Sequence, residues 1–361
     1  MIPFLNLVPG PDAADVRAAI DRVLARGWFV LGPELDAFEK EFAGAVQAPH
    51  AVGVNTGTDA LALSLRALGV GRGDEVITTP LSAAYSALAI MMAGARPVFA
   101  DIDADRLTLD PRATAAAVTS RTKAIMPVHL YGQPADMPAL MQVAQRHGLL
   151  VVEDCCQAHL ATCAGQPVGS FGNAAAYSFY PTKNLGALGD GGAITTADPN
   201  VAARLRRLRN GGQTDRYHHA EFGVNSRLDE MQAAILRARL AWLPGWTKER
   251  RALAAEYRRQ LAGSSITVPR EFDAGHVYHL FPILTRDRAA LQSHLKAHGI
   301  ETLIHFPIPI PRQSALAGED PAQCPIADRV CNEVLSLPLH PGMTPRVVEQ
   351  VAAALHAHAA A

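Results

Sequence analysis

Short apolar runs alternate with longer amphipathic segments through the first two thirds of this chain of 361 residues. Segments with helical spacing of apolar residues lie between several of these runs, at 58–69, 86–95 and 136–148. Continuous apolar strands separated by helices predict an α/β fold with a mostly parallel sheet that is buried on both faces. Ligands bind at the edge formed by the carboxyl ends of such strands. The runs predicted as strands are 50–54, 74–80, 96–102, 121–130, 148–155, 174–181 and 191–198.

The pattern changes beyond residue 230, where apolar runs become scarce and helical segments dominate. A Pro-Gly pair at 244–245 interrupts the helical spacing there. We therefore predict a domain boundary near residue 245, with a large α/β domain over 1–245 and a small C-terminal α+β domain over 246–361. The C-terminal elements predicted are helices at 231–243, 248–263 and 287–298, a strand-like run at 277–285 and proline-rich loops at 305–313.

Charge and cysteine content exclude several classes of protein. The formal net charge is −1 and the pI is near 6.9, so the chain lacks the basic field that nucleic-acid binding requires. No apolar segment reaches transmembrane length, and residues 1–16 lack the basic and apolar regions of a secretory leader. Five cysteines without a C-x-x-C pair favour a reducing compartment. We expect a soluble cytoplasmic protein whose partners include neither nucleic acid nor a membrane.

Two neighbouring predicted strands lead into ionisable side chains. The run "LLVVED" ends in Glu153 and Asp154, and the run "AAYSFY" leads into Lys183. An aspartate and a lysine at neighbouring strand ends can flank one flat ligand. Pyridoxal phosphate needs this pair, because the lysine forms a Schiff base and the aspartate keeps the pyridine nitrogen protonated. The alternative for a lone Glu-Asp pair is a helix cap or a loop salt bridge.

A third segment offers a place for a phosphate. Residues 55–58, Asn-Thr-Gly-Thr, lie between a predicted strand and a predicted helix. Gly57 would let the backbone approach closely, and the helix N-terminus would offer free N–H groups to a dianion. The alternative is that Thr58 or Asp59 is only the N-cap of that helix. The glycine-rich stretch 186–192 is no Walker A loop, since Lys183 precedes its glycines.

These segments resemble the DegT/DnrJ/EryC1/StrS sugar aminotransferases, which have the aspartate-aminotransferase fold, pyridoxal-phosphate fold type I. The resemblance runs almost from end to end and implies a seven-stranded, mostly parallel sheet in the large domain. Its most specific blocks are "YPTKNLG" (180–186) and "NSRLDE" (225–230). It also includes "RGWFVLGPELDAFE" (26–39), "GTDALALSLRALGVGRGDEVITTP" (57–80), "GARPVFADID" (94–103), "RTKAIMPVHLYGQPADM" (121–137), "GLLVVEDCCQAH" (148–159) and "IHFPIPI" (304–310).

The resemblance implies roles for individual residues. Lys183 would be the Schiff-base lysine, and Asp154 would pair with the pyridine nitrogen. Asn225 would reach the phosphate from a partner subunit, so the active unit would be a homodimer with shared sites. The other implied cofactor contacts are Gly57, Thr58, Gln157 and Ser178, and those expected near the sugar nucleotide are His159, Tyr180, Tyr217 and His305.

The implied reaction moves an amino group from glutamate, through pyridoxal and pyridoxamine phosphate, to a nucleotide-linked keto sugar. The tract "PVHLYGQ" (127–133) resembles members that aminate C3 of dTDP-linked 3-keto-6-deoxyhexoses. A C4 aminotransferase is the alternative. A sugar dehydratase of the same fold would have histidine in place of Lys183. A non-catalytic binding or regulatory homologue would tolerate loss of Lys183, Asp154 or the phosphate segment, and all three are intact.

The chain departs from the family pattern at a few positions. Cys155 and Cys156 replace the usual small residues, which predicts ordinary packing. Many members have an aromatic side chain at the position of Ala83 that stacks on the cofactor ring, whereas this chain offers Tyr85 two residues later. The cysteine and histidine spacings match no zinc motif, so we predict no metal site. The basic run 204–212 is expected to be a solvated helix face.

Overall fold

The structure, a computed structural model, describes residues 1–316 and 322–359. Among these residues no helix is both long and apolar enough to span a membrane. The helices are α1 Ala13–Arg26, α2 Pro33–Ala45, α3 Gly57–Ala67, α4 Tyr85–Met92, α5 Pro111–Ala116, α6 Met137–His147, α7 Pro199–Leu208, α8 Glu230–Leu240, α9 Leu243–Gln260, α10 Arg288–Ala297, α11 Pro325–Glu333 and α12 Pro345–Ala359. The strands are β1 His50–Val54, β2 Glu75–Thr78, β3 Arg96–Phe99, β4 Thr122–Met126, β5 Leu150–Asp154, β6 Thr162–Cys163, β7 Gln166–Pro167, β8 Ala174–Ser178, β9 Gly192–Thr196, β10 Gln213–Asp215, β11 His218–His219, β12 Phe281–Leu284 and β13 Val334–Leu337.

All seven predicted strands belong to one sheet, in the order β1-β9-β8-β5-β4-β2-β3. The strands from β8 to β3 pair in parallel, whereas β9 runs antiparallel to both β8 and β1. The prediction of a mostly parallel seven-stranded sheet is therefore confirmed. The antiparallel β9 follows β8 after a loop of residues 179–191, which contains Lys183 and needs no helical crossover.

Side chains alternate between the two faces of this sheet, as the strand repeat requires. On β5, Val151 joins an apolar cluster with α2 and α6, while Val152 joins a second cluster with α3. On β8, Ala175 and Tyr177 join the first cluster, whereas Ala174 and Ala176 join the second. We call these the packed face and the α3 face. The alternation places Glu153 on the packed face, and Asp154 and Ser178 on the α3 face.

Helix α3 is buried along most of its length and packs on β8. Its N-cap is Thr56, whose side chain accepts the Asp59 N–H at 3.0 Å. The alternative that Thr58 or Asp59 caps this helix is therefore wrong. Ser226 supports the same turn, because its Oγ accepts the Asn55 N–H at 3.1 Å and donates to the Asp59 carboxylate at 2.7 Å. The first turn of α3 is thus held on two sides at the edge of the sheet.

A buried acid explains the end of the "NSRLDE" block. The Glu230 carboxylate accepts the backbone N–H groups of Gly32 at 3.0 Å, Glu34 at 2.8 Å and Leu35 at 2.8 Å. These are N–H groups at the start of α2, which have no partner within their own helix. A negative charge there also complements the helix dipole. Glu230 therefore fixes the start of α8 against the start of α2.

The C-terminal part differs from the predicted helix limits. The helical break lies at residues 241–242, not at 244–245, and Pro244 lies in the first turn of α9. Proline is tolerated there because the first N–H groups of a helix have no internal acceptor. Strands β12 and β13 pair antiparallel and, with α9, α10 and α12, enclose a separate apolar cluster. The N-terminus pairs with this part, since Ile2 bonds to the backbone of 299–301. The division at residue 245 stays a prediction.

Candidate active site

Three chain segments converge on the α3 face beyond the carboxyl ends of β5 and β8. Asp154 ends β5, Ser178 ends β8, and Gly57 begins α3. A Cβ atom added to Gly57 would lie 2.7 Å from the Ser178 Cβ and 2.8 Å from the Cys156 Sγ. These distances are below any real contact, so only glycine fits there. The close approach brings the N-terminus of α3 beside the ends of both strands.

Asp154 is held by two hydrogen bonds on this face. The Ser86 hydroxyl donates to Oδ2 at 3.0 Å, and the Cys156 N–H donates to Oδ1 at 3.1 Å. The side chain is buried, and no arginine or lysine forms an ion pair with it among the residues described. A carboxylate has about four acceptor positions, so capacity remains for a further donor. The contact from Ser86 on α4 carries no motif in the sequence and was not predicted.

Lys183 lies in the loop between β8 and β9, and the residue is partly buried. Its backbone N–H donates to the Tyr180 carbonyl at 2.8 Å, which makes a tight turn. Burial lowers the pKa of Lys183, although the nearby Cys156 and Asp154 act in the opposite direction. A lower pKa increases the fraction of neutral amine, which is the nucleophilic form. The partial burial of Lys183 therefore has a chemical consequence.

The next residue anchors the lysine loop. The Asn184 amide donates to the Val277 carbonyl at 3.1 Å, and its oxygen lies 3.2 Å from the His279 Nδ1. His279 therefore presents a protonated Nδ1 to Asn184 in the neutral tautomer. Burial, followed by the charge of Lys183, lowers the pKa of His279 well below its usual value. His279 has no sequence signal beyond a place in a strand-like run, and it was not predicted.

Two predicted substrate residues are also near Lys183. Burial and the lysine charge lower the pKa of His159 to about 3 and that of His305 to about 4. The His305 Nδ1 lies 2.9 Å from the Ser336 Oγ. His159 is fully buried, and neither of its ring nitrogens has a hydrogen-bond partner. Both imidazoles are therefore neutral at physiological pH.

The phosphate segment has the features of an anion site. The backbone N–H groups of Gly57 and Thr58 and the side chain of Thr58 have no hydrogen-bond partner among the described residues, whereas the Asp59 N–H is taken by Thr56. The Ser178 Oγ accepts the Tyr180 N–H at 3.3 Å, which leaves its own proton free to donate. Gln157 uses its oxygen to accept the Tyr131 N–H at 2.8 Å, so its amide protons remain available. The residues fit a ligand that has both a dianion and a ring.

The other predicted residues lie on the surface of the single chain. Asn225 is exposed and makes an isolated bridge with Asn210. Tyr85 begins α4 with 62% of its surface exposed. Position 83, where many family members have an aromatic side chain, is alanine in this chain. Within the described ranges, no hydrogen bond or ion pair joins these side chains to those of Lys183 or Asp154. The exposed tyrosines among the predicted residues are Tyr85, Tyr180 and Tyr217.

Glu153, the other acid of the pair, has a structural role on the packed face. Its carboxylate accepts the N–H groups of Gly169, Phe171 and Gly172 at 2.8–2.9 Å and contacts the His129 Nε2 at 3.2 Å. Within the described ranges, His129, Glu153 and Cys155 form the one group with the proximity of metal ligands. The His129 Nδ1 accepts the Ala135 N–H, so neither ring nitrogen has a free lone pair. These contacts explain the group without a metal ion.

A partly buried lysine, a buried aspartate and a glycine-bordered helix N-terminus are the groups that pyridoxal phosphate requires of a protein. The family model "DegT/DnrJ/EryC1/StrS aminotransferase family" matches residues 12–356. The chain belongs to this family.

Relatives and solved structures agree with that assignment. The chain is 50% identical to the dTDP-3-amino-3,4,6-trideoxy-alpha-D-glucose transaminase of Streptomyces venezuelae, over 94% of this chain and 91% of the relative. It is 45% identical to a UDP-N-acetyl-3-dehydro-alpha-D-glucosamine 3-aminotransferase of Acidithiobacillus ferrooxidans, over 97% of this chain and 96% of the relative. A crystal structure of S. venezuelae DesV in complex with a ketimine intermediate superposes with a TM-score of 0.96, at 49% identity, covering 99% of this chain and 98% of DesV.

A structure of NtdA from Bacillus subtilis extends the comparison to the cofactor. It contains bound pyridoxamine phosphate and superposes with a TM-score of 0.93, at 32% identity, covering 100% of this chain and 85% of NtdA. The chain is therefore a pyridoxal-phosphate-dependent sugar aminotransferase. The predictions of the family, the fold, the cofactor and the type of enzyme are confirmed.

Proposed function

We propose that this enzyme transfers the amino group of glutamate to C3 of a dTDP-linked 3-keto-6-deoxyhexose. The observation that supports C3 is that the Streptomyces and Acidithiobacillus relatives are both named for amination at that carbon. They differ in nucleotide, one acting on a dTDP-sugar and the other on a UDP-sugar. The identity of 50% to the dTDP enzyme favours dTDP. Amination at C4 is the alternative.

The residues of the site would have separate roles in binding the cofactor and in transferring protons. Lys183 would hold the cofactor covalently, Asp154 would pair with its pyridine nitrogen, and Gly57, Thr58 and Ser178 would bind its phosphate. When bound, the cofactor supplies an electron sink for the bond that breaks at the substrate carbon. The free Lys183 amine would act as the general base and acid for the proton transfer at the substrate carbon. Its lowered pKa keeps the free amine competent to accept that proton.

The role of Lys183 can be tested without knowledge of the sugar. We expect the purified enzyme to show a visible absorbance band that glutamate converts to the pyridoxamine form. Lys183→Ala should lower the rate of this conversion by about 10²- to 10⁴-fold. Circular dichroism should show that the variant still folds. Full conversion in Lys183→Ala would overturn the assignment.

The acceptor is tested by a panel of four sugar nucleotides. The pyridoxamine-loaded enzyme is mixed with 3-keto and 4-keto 6-deoxyhexoses, each linked to dTDP and to UDP. We expect the absorbance to return to the pyridoxal form only with the dTDP-linked 3-keto sugar. Reaction with the 4-keto sugars alone would replace C3 by C4. Reaction with none of the four, despite turnover of glutamate, would reject the sugar assignment and retain the aminotransferase.

We also propose a cytoplasmic homodimer with shared sites. The support is a set of large apolar side chains that the single chain leaves exposed, together with the exposed Asn225. Exposed apolar side chains that form a contiguous patch mark a surface that another chain covers. Members of this set are Trp28, Phe29, Tyr85, Tyr180, Leu188, Tyr217 and Phe222.

Mixed dimers test whether the sites are shared. Lys183→Ala and Asn225→Ala should each be inactive as homodimers. Refolded together, they should recover activity, because one site of each mixed dimer then contains both wild-type residues. Sedimentation velocity gives the mass in the same samples. No recovery in a verified mixed dimer would show that Asn225 acts within its own chain.

A further inference from the structure

Three histidines lie side by side where α10 and α12 meet, outside the site of Lys183. His294 is in the last turn of α10, and His298 is the residue that ends this helix. Their ring centroids are 4.2 Å apart, as expected for side chains one helical turn apart. His358, in the last turn of α12, has its ring centroid 5.2 Å from that of His294. We call His294, His298 and His358 the histidine cluster.

Hydrogen bonds fix which nitrogen of two of these rings is free. The His294 Nε2 lies 3.0 Å from the Ala354 carbonyl oxygen, and the His298 Nδ1 lies 2.9 Å from the His294 carbonyl oxygen. A carbonyl oxygen can only accept, so each of these nitrogens carries the proton. The Nδ1 of His294 and the Nε2 of His298 therefore keep their lone pairs in the neutral rings. Histidines that bind metal ions donate their second nitrogen to a carbonyl or carboxylate in the same way, which orients the ring.

A carboxylate lies beside the histidine cluster. The Asp287 Oδ2 is 3.9 Å from the His358 Nε2, and Asp287 precedes α10 without forming a side-chain cap. Within the described ranges, no arginine or lysine forms an ion pair with this aspartate. Lys296, on the same helix, faces elsewhere, because it lines the cavity beside His305. Asp287 is therefore available as a fourth ligand or as the acceptor that orients the His358 ring.

The spacing of the three rings suits one ion. Two imidazoles on one tetrahedral zinc ion, with Zn–N bonds of about 2.0 Å, have ring centroids about 5 Å apart. The centroid distances of 4.2 and 5.2 Å are close to this value. The ligand atoms of the cluster are not yet all within 4.8 Å of one another, as those of the group around His129 are. His358 is the ring that must turn, and among the described residues no hydrogen bond holds it.

We propose that the histidine cluster binds a divalent transition-metal ion of the zinc, nickel or copper class and that this ion links α10 to α12. Imidazole is a preferred ligand of these ions, whereas magnesium and calcium prefer oxygen. The carboxyl-terminal turns of both helices also favour a positive charge there. The expectation that the chain has no metal site came from spacings along the sequence, and such spacings miss a ligand that another helix supplies.

The expected consequence is a more stable C-terminal part. Helices α10 and α12 pack over the same apolar cluster, to which Leu291, Leu295, Val351 and Leu355 contribute. The unfolded chain does not hold these histidines together, so an ion that binds them stabilises the folded state. The histidine cluster shares no cavity lining with Lys183. This inference therefore does not depend on the identity of the sugar or of the amino donor.

Zinc binding can be measured on the full chain, purified without a polyhistidine tag and freed of metal with a chelator. We expect calorimetric titration to show one zinc ion per chain at the cluster and thermal denaturation to show a higher Tm with zinc. His298→Gln and His358→Gln should each weaken the apparent affinity at least about 10-fold, the loss that even an outer-shell contact causes. His147→Gln is the matched control, because His147 is exposed on α6, outside the cluster.

Each outcome of this titration decides the proposal. A wild type without saturable zinc binding would overturn it, as would equal affinity in the wild type and in both cluster variants. Loss in His298→Gln alone would also overturn it, because the ion would then bind α10 without linking it to α12. A rise of Tm with zinc in the wild type and in His147→Gln, but in neither cluster variant, would support the link.

Copper provides a second readout, which reports the ligands directly. Electron paramagnetic resonance of the wild type loaded with one Cu²⁺ ion should show splitting by imidazole nitrogens. The splitting should simplify in His298→Gln and in His358→Gln and stay the same in His147→Gln. A wild-type spectrum without imidazole splitting would overturn the proposal even if a cluster variant failed to fold. Identical spectra in the wild type and both cluster variants would also overturn it.

Discussion

Glu153 and Asp154 are adjacent on β5, and both are buried, yet they lie on opposite faces of the sheet. On the packed face, Glu153 receives three backbone N–H groups and a histidine N–H. On the α3 face, Asp154 receives one hydroxyl and one N–H. The protein satisfies the first carboxylate and leaves part of the second available. We therefore expect the number of internal hydrogen bonds, more than burial, to distinguish the structural acid from the acid proposed to pair with the cofactor.

The same contrast extends to the segments around the two acids. The packed face continues into aromatic side chains that pack edge to face, with Phe42 within 5.0–5.2 Å of the rings of Tyr177 and Phe179. On the α3 face, Gly57 packs closely against Ser178 and Cys156, and no aromatic ring takes this place. Small residues therefore bring the N-terminus of α3 next to the strand ends on this face, whereas large rings fill the other face.

Asp154→Asn is expected to cause the largest loss of activity in this comparison. The change removes the negative charge and keeps the size of the side chain. The rate of the glutamate half-reaction should fall about 10²- to 10³-fold, as for loss of one electrostatic contact in an active site. The free energy of unfolding should not fall, since an unpaired buried charge is removed. Stopped-flow absorbance and thermal denaturation measure the two effects. A stability loss with unchanged rate would reverse the roles of the two acids.

Glu153→Gln should produce the opposite pattern. The oxygen of a glutamine can accept hydrogen bonds from only some of the four donors that contact Glu153. The amide N–H groups of the glutamine would face the remaining N–H groups. We expect the free energy of unfolding to fall by about 3 kcal/mol. The rate per folded molecule should stay within about threefold of the wild type at a temperature where both are folded. Urea denaturation and active-site titration provide these values. A stable, inactive Glu153→Gln would show that the packed face takes part in the chemistry.

Much of this contrast follows from local sequence. The apolar runs located all seven strands, and the two-residue repeat assigns Glu153 and Asp154 to opposite faces. The "YPTKNLG" block singled out Lys183, and the close backbone approach at Gly57 was expected from its place between a strand and a helix; the roles of both residues in binding the cofactor stay predictions. These features depend on neighbouring residues, so periodicity and motif are sufficient to find them.

Other features depend on chain segments that are far apart. Ser86 contacts Asp154 across 68 residues, and Asn184 positions His279 across 95. Neither contact has a spacing that could be recognised before the chain is folded. The antiparallel direction of β9 and the helical break at 241–242 were also missed. At 241–242 the proline misled the prediction, because proline is compatible with the first turn of a helix. In both places, packing between distant segments decides the structure and the local sequence does not.

Gly57→Ala tests how tightly the α3 face is built. The new Cβ would meet Ser178 and Cys156 below 3 Å, so the phosphate segment must move. We expect the affinity for pyridoxal phosphate to fall about 10- to 100-fold, which corresponds to an overpacking cost of about 1–3 kcal/mol. Gly44→Ala is the control, because its Cβ would meet nothing within 4 Å. Absorbance titration of the apoenzyme measures the affinity. Equal affinities for the two variants would show that the segment adapts freely.

His159 sharpens the comparison, because it lies against Tyr177 and Phe179 of the packed face while both its ring nitrogens lack partners. Burial lowers its pKa to about 3, whereas the unfolded chain protonates near the ordinary value of 6.5. Between these values the unfolded state binds more protons, so stability falls as pH falls, by about 1.4 kcal/mol per pH unit well below 6.5.

Removal of this histidine should reduce the loss of unfolding free energy that accompanies a fall in pH below 6.5. His159→Phe keeps an aromatic ring against Tyr177 and Phe179 and cannot titrate. We expect the slope of unfolding free energy between pH 6 and 4 to decrease by about 1.4 kcal/mol per unit, while His147→Gln at an exposed position leaves it unchanged. Urea denaturation at several pH values measures the slopes. An unchanged slope in His159→Phe would mean that His159 finds a partner in solution, and satisfied hydrogen bonding would then extend over the whole packed face.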